Sequence, residues 1–197
     1  ALSLELLSAR LQAERTDGQA RNSTLSTLAA ELQDQGKYDE ADPLYREALK
    51  ARREMLGNRH RSTLGSINNL SMLLVDKGKY EEAEPLCREA LEVRRETLGN
   101  QHSRTLSSIN SLGLLLKAKG DLAAAEPLCR EAMEVRRETL GDRHPSTLSS
   151  INSLGLLLKA KGDLAAAEPL CREAMEVRRE TLGDRHPSTL SSISNLG

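Results

Sequence analysis

The sequence contains no phenylalanine and no tryptophan, and it has three tyrosines among its 197 residues. Large aromatic rings bury the most surface per side chain in a compact globular core. Leucine, isoleucine, valine, methionine, alanine and cysteine must therefore supply the apolar contacts of this protein. Small side chains of this kind let helix backbones approach closely, so the composition favours thin layers of helices over a single thick core.

An excess of charge of either sign is also missing, because 28 basic and 29 acidic residues leave a formal net charge of −1. Such a balanced surface exerts no long-range attraction on nucleic acid or on an anionic membrane. No apolar run approaches the ~20 residues that a membrane-spanning helix needs. We therefore expect neither a nucleic acid nor a membrane as a partner.

The N-terminal residues 1–7 lack the basic start of a signal peptide and carry an early acid, Glu5. The three cysteines, Cys87, Cys129 and Cys171, are an odd number without a CxxC pair. Unpaired thiols are typical of a reducing compartment. From these two features we predict a cytoplasmic protein.

A 42-residue repeat organises the chain. Residues 105–146 and residues 147–188 are identical at every position. Residues 63–104 are a diverged copy, 21–62 are a more distant one, and 189–197 begin a fifth. Identity that extends to presumed surface positions indicates either a very recent duplication or an engineered array.

Each repeat contains the patterns of two helices. In the third copy, Leu106, Ile109 and Leu112 follow the three- and four-residue spacing of a helical stripe. Gly120 then supplies a helix stop, and the carboxylate of Asp121 can cap the helix that follows. One such hairpin has two apolar faces and cannot bury both by itself, so stacked hairpins are expected to form an all-α solenoid.

These patterns predict the following organisation. A capping helix covers the open face of the first repeat, with Leu4, Leu7 and Leu11 on one side. The predicted segments are the capping helix at 1–20, the four repeats at 21–62, 63–104, 105–146 and 147–188, and the truncated first helix of a fifth repeat at 189–197.

The repeat resembles the tetratricopeptide signature. The residues that carry this resemblance are Asn69-Leu70-Ser71, Leu74, Gly78-Lys79-Tyr80, Ala83, Cys87 and Ala90. The 42-residue period is similar to the longer repeats of kinesin light chain and nephrocystin-like proteins. The resemblance implies a right-handed α-α superhelix of antiparallel helix pairs that acts as a protein-protein interaction scaffold. Leu122 and Leu164 depart from the pattern, because tyrosine stands at the equivalent position of the first two copies.

In that family the first helix of each repeat lines a concave groove, and an asparagine there often holds the backbone amide of a peptide ligand. The candidate groove residues that the resemblance implies are Thr27, Ala30, Asn69, Met72, Ser111, Leu114, Ser153, Leu156 and Asn195. The alternative is that these are solvated or packing residues of a stacked helix. For Asn69 both interpretations stay open, whereas for Ser111 and Ser153 the alternative is favoured.

Three further residue types recur once per repeat. The cysteines could form a metal or redox site, but a small apolar side chain in a helix interface is favoured. His60, His102, His144 and His186 could bind zinc, but a structural role at the start of a helix is favoured, because ligands one repeat apart cannot converge on one ion. The pairs Arg94-Arg95, Arg136-Arg137 and Arg178-Arg179 form either a basic ridge or, preferably, a solvated helix end that suits the helix dipole.

Catalytic signatures are lacking, since the sequence has no GxxxxGK[ST], HExxH or GxSxG motif. We therefore predict a binding protein that is not an enzyme and that has no cofactor or metal. The alternative function is a structural or self-assembling array. In that case Leu190, Ile193 and Leu196, on the truncated fifth repeat, would contact another molecule end to end.

Overall fold

The computed structural model describes residues 18–196, and this part of the chain consists of nine α-helices without strands. The helices are α1 Gly18–Asp34, α2 Tyr38–Leu56, α3 Arg61–Asp76, α4 Tyr80–Leu98, α5 Ser103–Lys119, α6 Leu122–Leu140, α7 Pro145–Lys161, α8 Leu164–Leu182 and α9 Pro187–Leu196. The odd-numbered helices are the first helices of successive repeats and are called A helices; the even-numbered ones are called B helices. The predicted all-α fold of paired helices is confirmed.

Two compact units make up the chain, residues 1–93 and residues 94–197. In the first unit α1 packs against α2, and α2 packs against α3. In the second unit each helix from α5 to α9 packs against the next one. Within each unit a B helix therefore lies between its own A helix and the A helix of the following repeat.

The turns within the repeats follow the predicted chemistry. Gly120 ends α5 in the left-handed region with φ of 91°, a conformation that glycine adopts without steric cost. The side chain of Asp121 then accepts a hydrogen bond of 3.1 Å from the backbone N–H of Ala124 and so caps α6. Lys37 stands at the equivalent position of the first repeat, where α2 starts without a side-chain cap.

The histidines start the A helices. The Nδ1 atoms of His60, His102, His144 and His186 each accept a hydrogen bond of 3.1 Å from the backbone N–H two residues further on. An unpaired N–H at a helix start is thereby satisfied in four repeats. The predicted role of these histidines at helix starts is confirmed.

The apolar stripe of the A helix α5 lies in the core. Leu106, Ile109 and Leu112 are almost completely buried, and Ala125 and Ala132 of the adjacent B helix are fully buried. The small alanines bring the two helices close together, as the composition predicted.

In each of the two identical repeats, a glycine of the A helix lies close to a cysteine of the B helix. A Cβ atom added to Gly113 would lie 2.8 Å from Sγ of Cys129, and one added to Gly155 would lie 2.6 Å from Sγ of Cys171. The three cysteines are buried, and burial raises the pKa of the Cys129 and Cys171 thiols. The interpretation of these cysteines as small packing residues is confirmed.

The start of α1 differs from the predicted boundary between the capping helix and the first repeat. The structure places Gly18–Ala20 in α1, although the sequence pattern assigned these residues to the capping helix. The remainder of that predicted helix, residues 1–17, lies outside the described residues. Within residues 18–196, no helix is both long and apolar enough to cross a membrane.

The histidine caps make a specific prediction about stability. Replacing His144 with alanine should lower the free energy of unfolding by about 0.5–1 kcal/mol, because the N–H of Ser146 loses its acceptor. His144→Asn should retain most of that stability, since an asparagine side chain supplies an equivalent acceptor. Urea unfolding followed by circular dichroism would compare the two variants, and equal losses would contradict a capping role.

Candidate functional site

The candidate groove residues of the first unit lie on the accessible side of its A helices. On α1, Thr27 is exposed and Ala30 is partly buried. On α3, Asn69 is partly buried, and Met72 exposes 54% of its surface one turn later. The accessible sides of the A helices within a unit, marked in the first unit by these residues and in the second unit by their equivalents, are called the A-helix face of that unit.

In the second unit the equivalent positions are less uniform. Ser111 and Ser153 are partly buried, and so is Asn195 on α9. Leu114 exposes 43% of its surface, whereas Leu156 is partly buried although it belongs to an identical repeat. The face thus combines hydroxyl and amide groups with apolar side chains one turn away.

Several polar groups of this face are already engaged. The hydroxyl of Ser153 donates a 3.0 Å hydrogen bond to the Ser149 carbonyl of its own helix, and Thr27 bonds its own helix in the same way. The Asn195 amide donates a 3.0 Å hydrogen bond to Oδ1 of Asn152 on the preceding A helix. These contacts support a packing role for Ser153 and give Asn195 a link between neighbouring A helices.

The candidates for self-association differ sharply from their equivalents. Leu190 and Ile193 expose 53% and 39% of their surfaces on α9, but Leu148 and Ile151 expose 2% and 0% at the same positions of α7. The third candidate, Leu196, ends α9, and its side chain lies outside the described residues. The apolar stripe of α9 is therefore open in this structure.

For the first arginine of each pair, both interpretations made from the sequence, a basic ridge and a solvated helix end, were wrong. The first arginine of each pair is buried. Arg136 donates a 2.5 Å hydrogen bond to the hydroxyl of Ser150, and Arg178 donates one of 2.5 Å to Ser192. Arg94 binds Ser108 in the same arrangement. The long guanidinium side chain crosses from the B helix to the next A helix instead of turning into solvent.

Burial without a carboxylate partner has an electrostatic consequence. Removal from water disfavours the charged form, so burial lowers the pKa of Arg52, Arg136 and Arg178 from the usual arginine value. The backbone carbonyl of Arg136 also accepts a 3.2 Å hydrogen bond from the buried hydroxyl of Thr147. Each junction between repeats in the second unit is therefore closed by polar contacts within an apolar layer.

In the first three repeats, the second of two adjacent arginines contacts the next B helix. Arg53, which follows Arg52, binds Glu89 at 2.6 Å, Arg95 binds Glu131 at 2.6 Å, and Arg137 binds Glu173. Each partner lies 36 residues further along the chain. Sequence reasoning missed this ladder, although an invariant arginine and an invariant glutamate at that separation were visible in every complete copy.

Among residues 18–196, no three His, Cys, Asp or Glu side chains come together as metal ligands. Each unit instead presents apolar, amide and hydroxyl side chains on the accessible sides of its A helices.

Comparison with known proteins identifies a matching family model and similar solved structures. A family model described as tetratricopeptide repeat matches residues 23–62, 63–104, 105–146 and 147–188. A solved structure from Podosopora anserina, named for a kinesin light chain with nearly identical TPR-like repeats, shares 27% identity over 89% of this chain and 83% of that one, with a TM-score of 0.79. No curated protein matches the sequence.

Two further solved structures share the fold at lower identity. BtubC (BKLC) from P. vanneervenii is 23% identical over 100% of this chain and 82% of that one, with a TM-score of 0.81. MamA from Desulfovibrio magneticus RS-1 is 17% identical over 91% of this chain and 85% of that one, with a TM-score of 0.66.

The adjacent arginines permit a matched test of the repeat junction. Arg136→Ala should lower the free energy of unfolding by about 2–3 kcal/mol, because a buried charged hydrogen bond and its packing are lost. Arg137→Ala removes a partly exposed ion pair and should cost less than about 1 kcal/mol. Chemical denaturation would measure the free energy of unfolding of both variants. A larger decrease for Arg137→Ala than for Arg136→Ala would contradict the role of Arg136 in closing the repeat junction.

Proposed function

The chain belongs to the tetratricopeptide repeat family, and we propose that it is a non-catalytic scaffold that binds a peptide or partner protein along the A-helix face. Repeats of this fold generally mediate protein-protein interaction. The identity of the partner follows from the side chains on that face and not from the fold, since one fold serves many ligands.

The observation that carries the proposal is an apolar side chain at the same position of the A helices within each unit. Met72 occupies it in the first unit and exposes 54% of its surface. In the second unit Leu114 exposes 43% and Leu156 is partly buried. Scattered exposed apolar residues are ordinary on protein surfaces. Recurrence one turn after an amide or hydroxyl is different, because it supplies repeated anchors for the apolar side chains of a bound chain.

Asn69 adds the polar half of the interaction. Its amide carries both donors and an acceptor, which match the N–H and C=O groups that an extended peptide leaves unpaired. In the first unit it lies one turn before the exposed side chain of Met72. A ligand backbone bonded to Asn69 would therefore bring an apolar residue to Met72.

A second candidate function is self-association through α9. It is favoured by the exposure of Leu190 and Ile193, whose equivalents in α7 are buried. Covering such side chains contributes roughly 1.5–3 kcal/mol each when they become fully buried.

The buried thiols are compatible with the reducing cytoplasm, which we propose as the location.

Two leucines with the same exposure test the scaffold function. Peptides selected from a displayed library on the intact chain should bind Leu114→Ala several-fold more weakly, because the variant removes an anchor from the A-helix face. Leu140→Ala is the control, since Leu140 exposes 44% of its surface on the B helix α6. Asn69→Ala provides an independent arm for ligands of the first unit. Titration calorimetry would measure the affinity of each variant. Affinities of Leu114→Ala and Asn69→Ala equal to that of the unaltered chain would exclude binding at the A-helix face.

Self-association makes a separate prediction. Light scattering across a concentration series should show a mass above that of one chain, and the double variant Leu190→Lys, Ile193→Lys should remain a monomer. Charged side chains in a newly formed apolar contact would have to lose their hydration. A strict monomer at high concentration of the unaltered chain would count against this candidate.

A further inference from the structure

All the histidines of the chain occupy the same structural position. Each stands immediately before the first residue of an A helix, and its Nδ1 atom accepts a 3.1 Å hydrogen bond from the backbone N–H two residues further on. The sequence has 4 histidines in total, His60, His102, His144 and His186. Every imidazole of this protein therefore caps a helix, and a change that affects imidazoles acts on α3, α5, α7 and α9 at once.

The capping bond selects one protonation state of the ring. A ring nitrogen accepts an N–H only through its lone pair, so Nδ1 is unprotonated and the neutral ring carries its proton on Nε2. Protonation produces an imidazolium, in which both nitrogens are donors and neither can accept. The cap is then lost, and a backbone N–H in the first turn of the A helix loses its partner.

Basic residues of the preceding B helix lie near the caps. Arg136 of α6 donates a 3.5 Å hydrogen bond to the carbonyl of Ser146, and the N–H of Ser146 binds His144. Arg178 of α8 makes the same contact with Ser188 at 3.4 Å. An imidazolium would therefore add a positive charge near a guanidinium and at the positive end of a helix dipole.

The acids around the caps do not compensate for that charge. Those of the adjoining loops and of α8 already bind arginines, in the pairs Asp142–Arg137 at 2.7 Å, Asp184–Arg179 at 2.6 Å and Glu180–Arg143 at 3.0 Å. Glu96 and Glu138 stand at the equivalents of Glu180, and the charged residues next to the first two histidines in sequence are the basic Arg59, Arg61 and Arg104. Within residues 18–196, no carboxylate forms an ion pair with any of these imidazoles.

Mild acid acts on the histidines selectively. The ordinary pKa of a histidine side chain is about 6.5, whereas aspartate and glutamate titrate at about 4. Hydrogen bonds from Lys161 and Arg130 lower the pKa of Glu126 further, and burial raises the pKa of the Cys129 and Cys171 thiols. The range between about pH 7.5 and about pH 5 therefore separates the helix caps from the ion pairs and the thiols.

The direction of the effect follows from proton linkage. An unfolded chain takes up a proton on each ring without loss, whereas the folded chain gives up a cap for each proton that it binds. Below about pH 6.5 the unfolded state therefore holds more protons than the folded state, and stability falls as the pH falls. The contribution of the caps is complete above the histidine range and is lost below it.

We propose that the histidine caps form an acid-sensitive device that releases the starts of the A helices together between about pH 7.5 and about pH 5. The same helices form the A-helix face of each unit, so mild acid loosens the elements that present this face. The device goes beyond the scaffold function and does not depend on it, because it acts on the folded chain with or without a partner.

Urea unfolding of the intact chain, followed by circular dichroism at the two pH values, tests the proposal. At a fixed urea concentration, the ratio of folded to unfolded chain should be at least about tenfold lower at the acidic pH. A variant with asparagine at all four positions should show little change, because an amide oxygen caps the helix at both pH values. Equal pH dependence of the two chains, or no dependence in the unaltered chain, overturns the proposal.

Two further measurements do not require the fourfold variant to fold. His144→Asn alone should remove roughly a quarter of the pH dependence, since equivalent and well-separated caps contribute additively. Nitrogen NMR of the imidazole rings in the unaltered chain at the higher pH should show the neutral form with the proton on Nε2. A proton on Nδ1 in the folded chain, or an unchanged pH dependence in His144→Asn, would contradict the device.

Discussion

Burial of each A-helix stripe by neighbouring helices is the interaction on which the rest of the structure depends. Its effect is visible within one chain, because Ile151 is fully buried in α7 and its equivalent Ile193 is substantially exposed in α9. Fully burying such a side chain contributes roughly 1.5–3 kcal/mol, and every complete repeat contains several. A repeat therefore owes its stability to its neighbours, as expected for an array in which each unit contacts the adjacent ones.

Polar contacts then specify how the repeats are arranged. The buried Arg136 reaches across to Ser150, and the adjacent Arg137 reaches along to Glu173. Two arginines in sequence thus perform different tasks, because successive residues of a helix point in different directions. The first loses hydration and recovers hydrogen bonds inside the layer, and the second stays partly exposed, where an ion pair contributes little to stability. Contacts of this kind favour one stacking register over others.

The repeats depart from each other at a few accessible positions. Asn69 stands where the two identical repeats have serine, and Lys50 stands where three repeats have glutamate. Both departures lie in the first unit and at accessible positions. Equivalent residues of the two identical repeats also differ in exposure, since Leu114 is more exposed than Leu156 in the described structure. An asymmetric ligand can therefore distinguish repeats that a sequence comparison treats as equal.

The all-α fold, the turn glycines, the aspartate caps and the packing role of the cysteines followed from the sequence, because helical spacing and turn chemistry act over a few residues. The candidate positions on the A-helix face came from the resemblance to the tetratricopeptide repeat, carried over position by position. The buried arginines could not be recognised in that way, because a local pattern cannot show whether a charged side chain at a helix end turns to water or to the next helix. The ion-pair ladder joins residues about 36 positions apart. Only the stacking of successive hairpins brings such residues together, so the tertiary structure decided which charges are paired with each other.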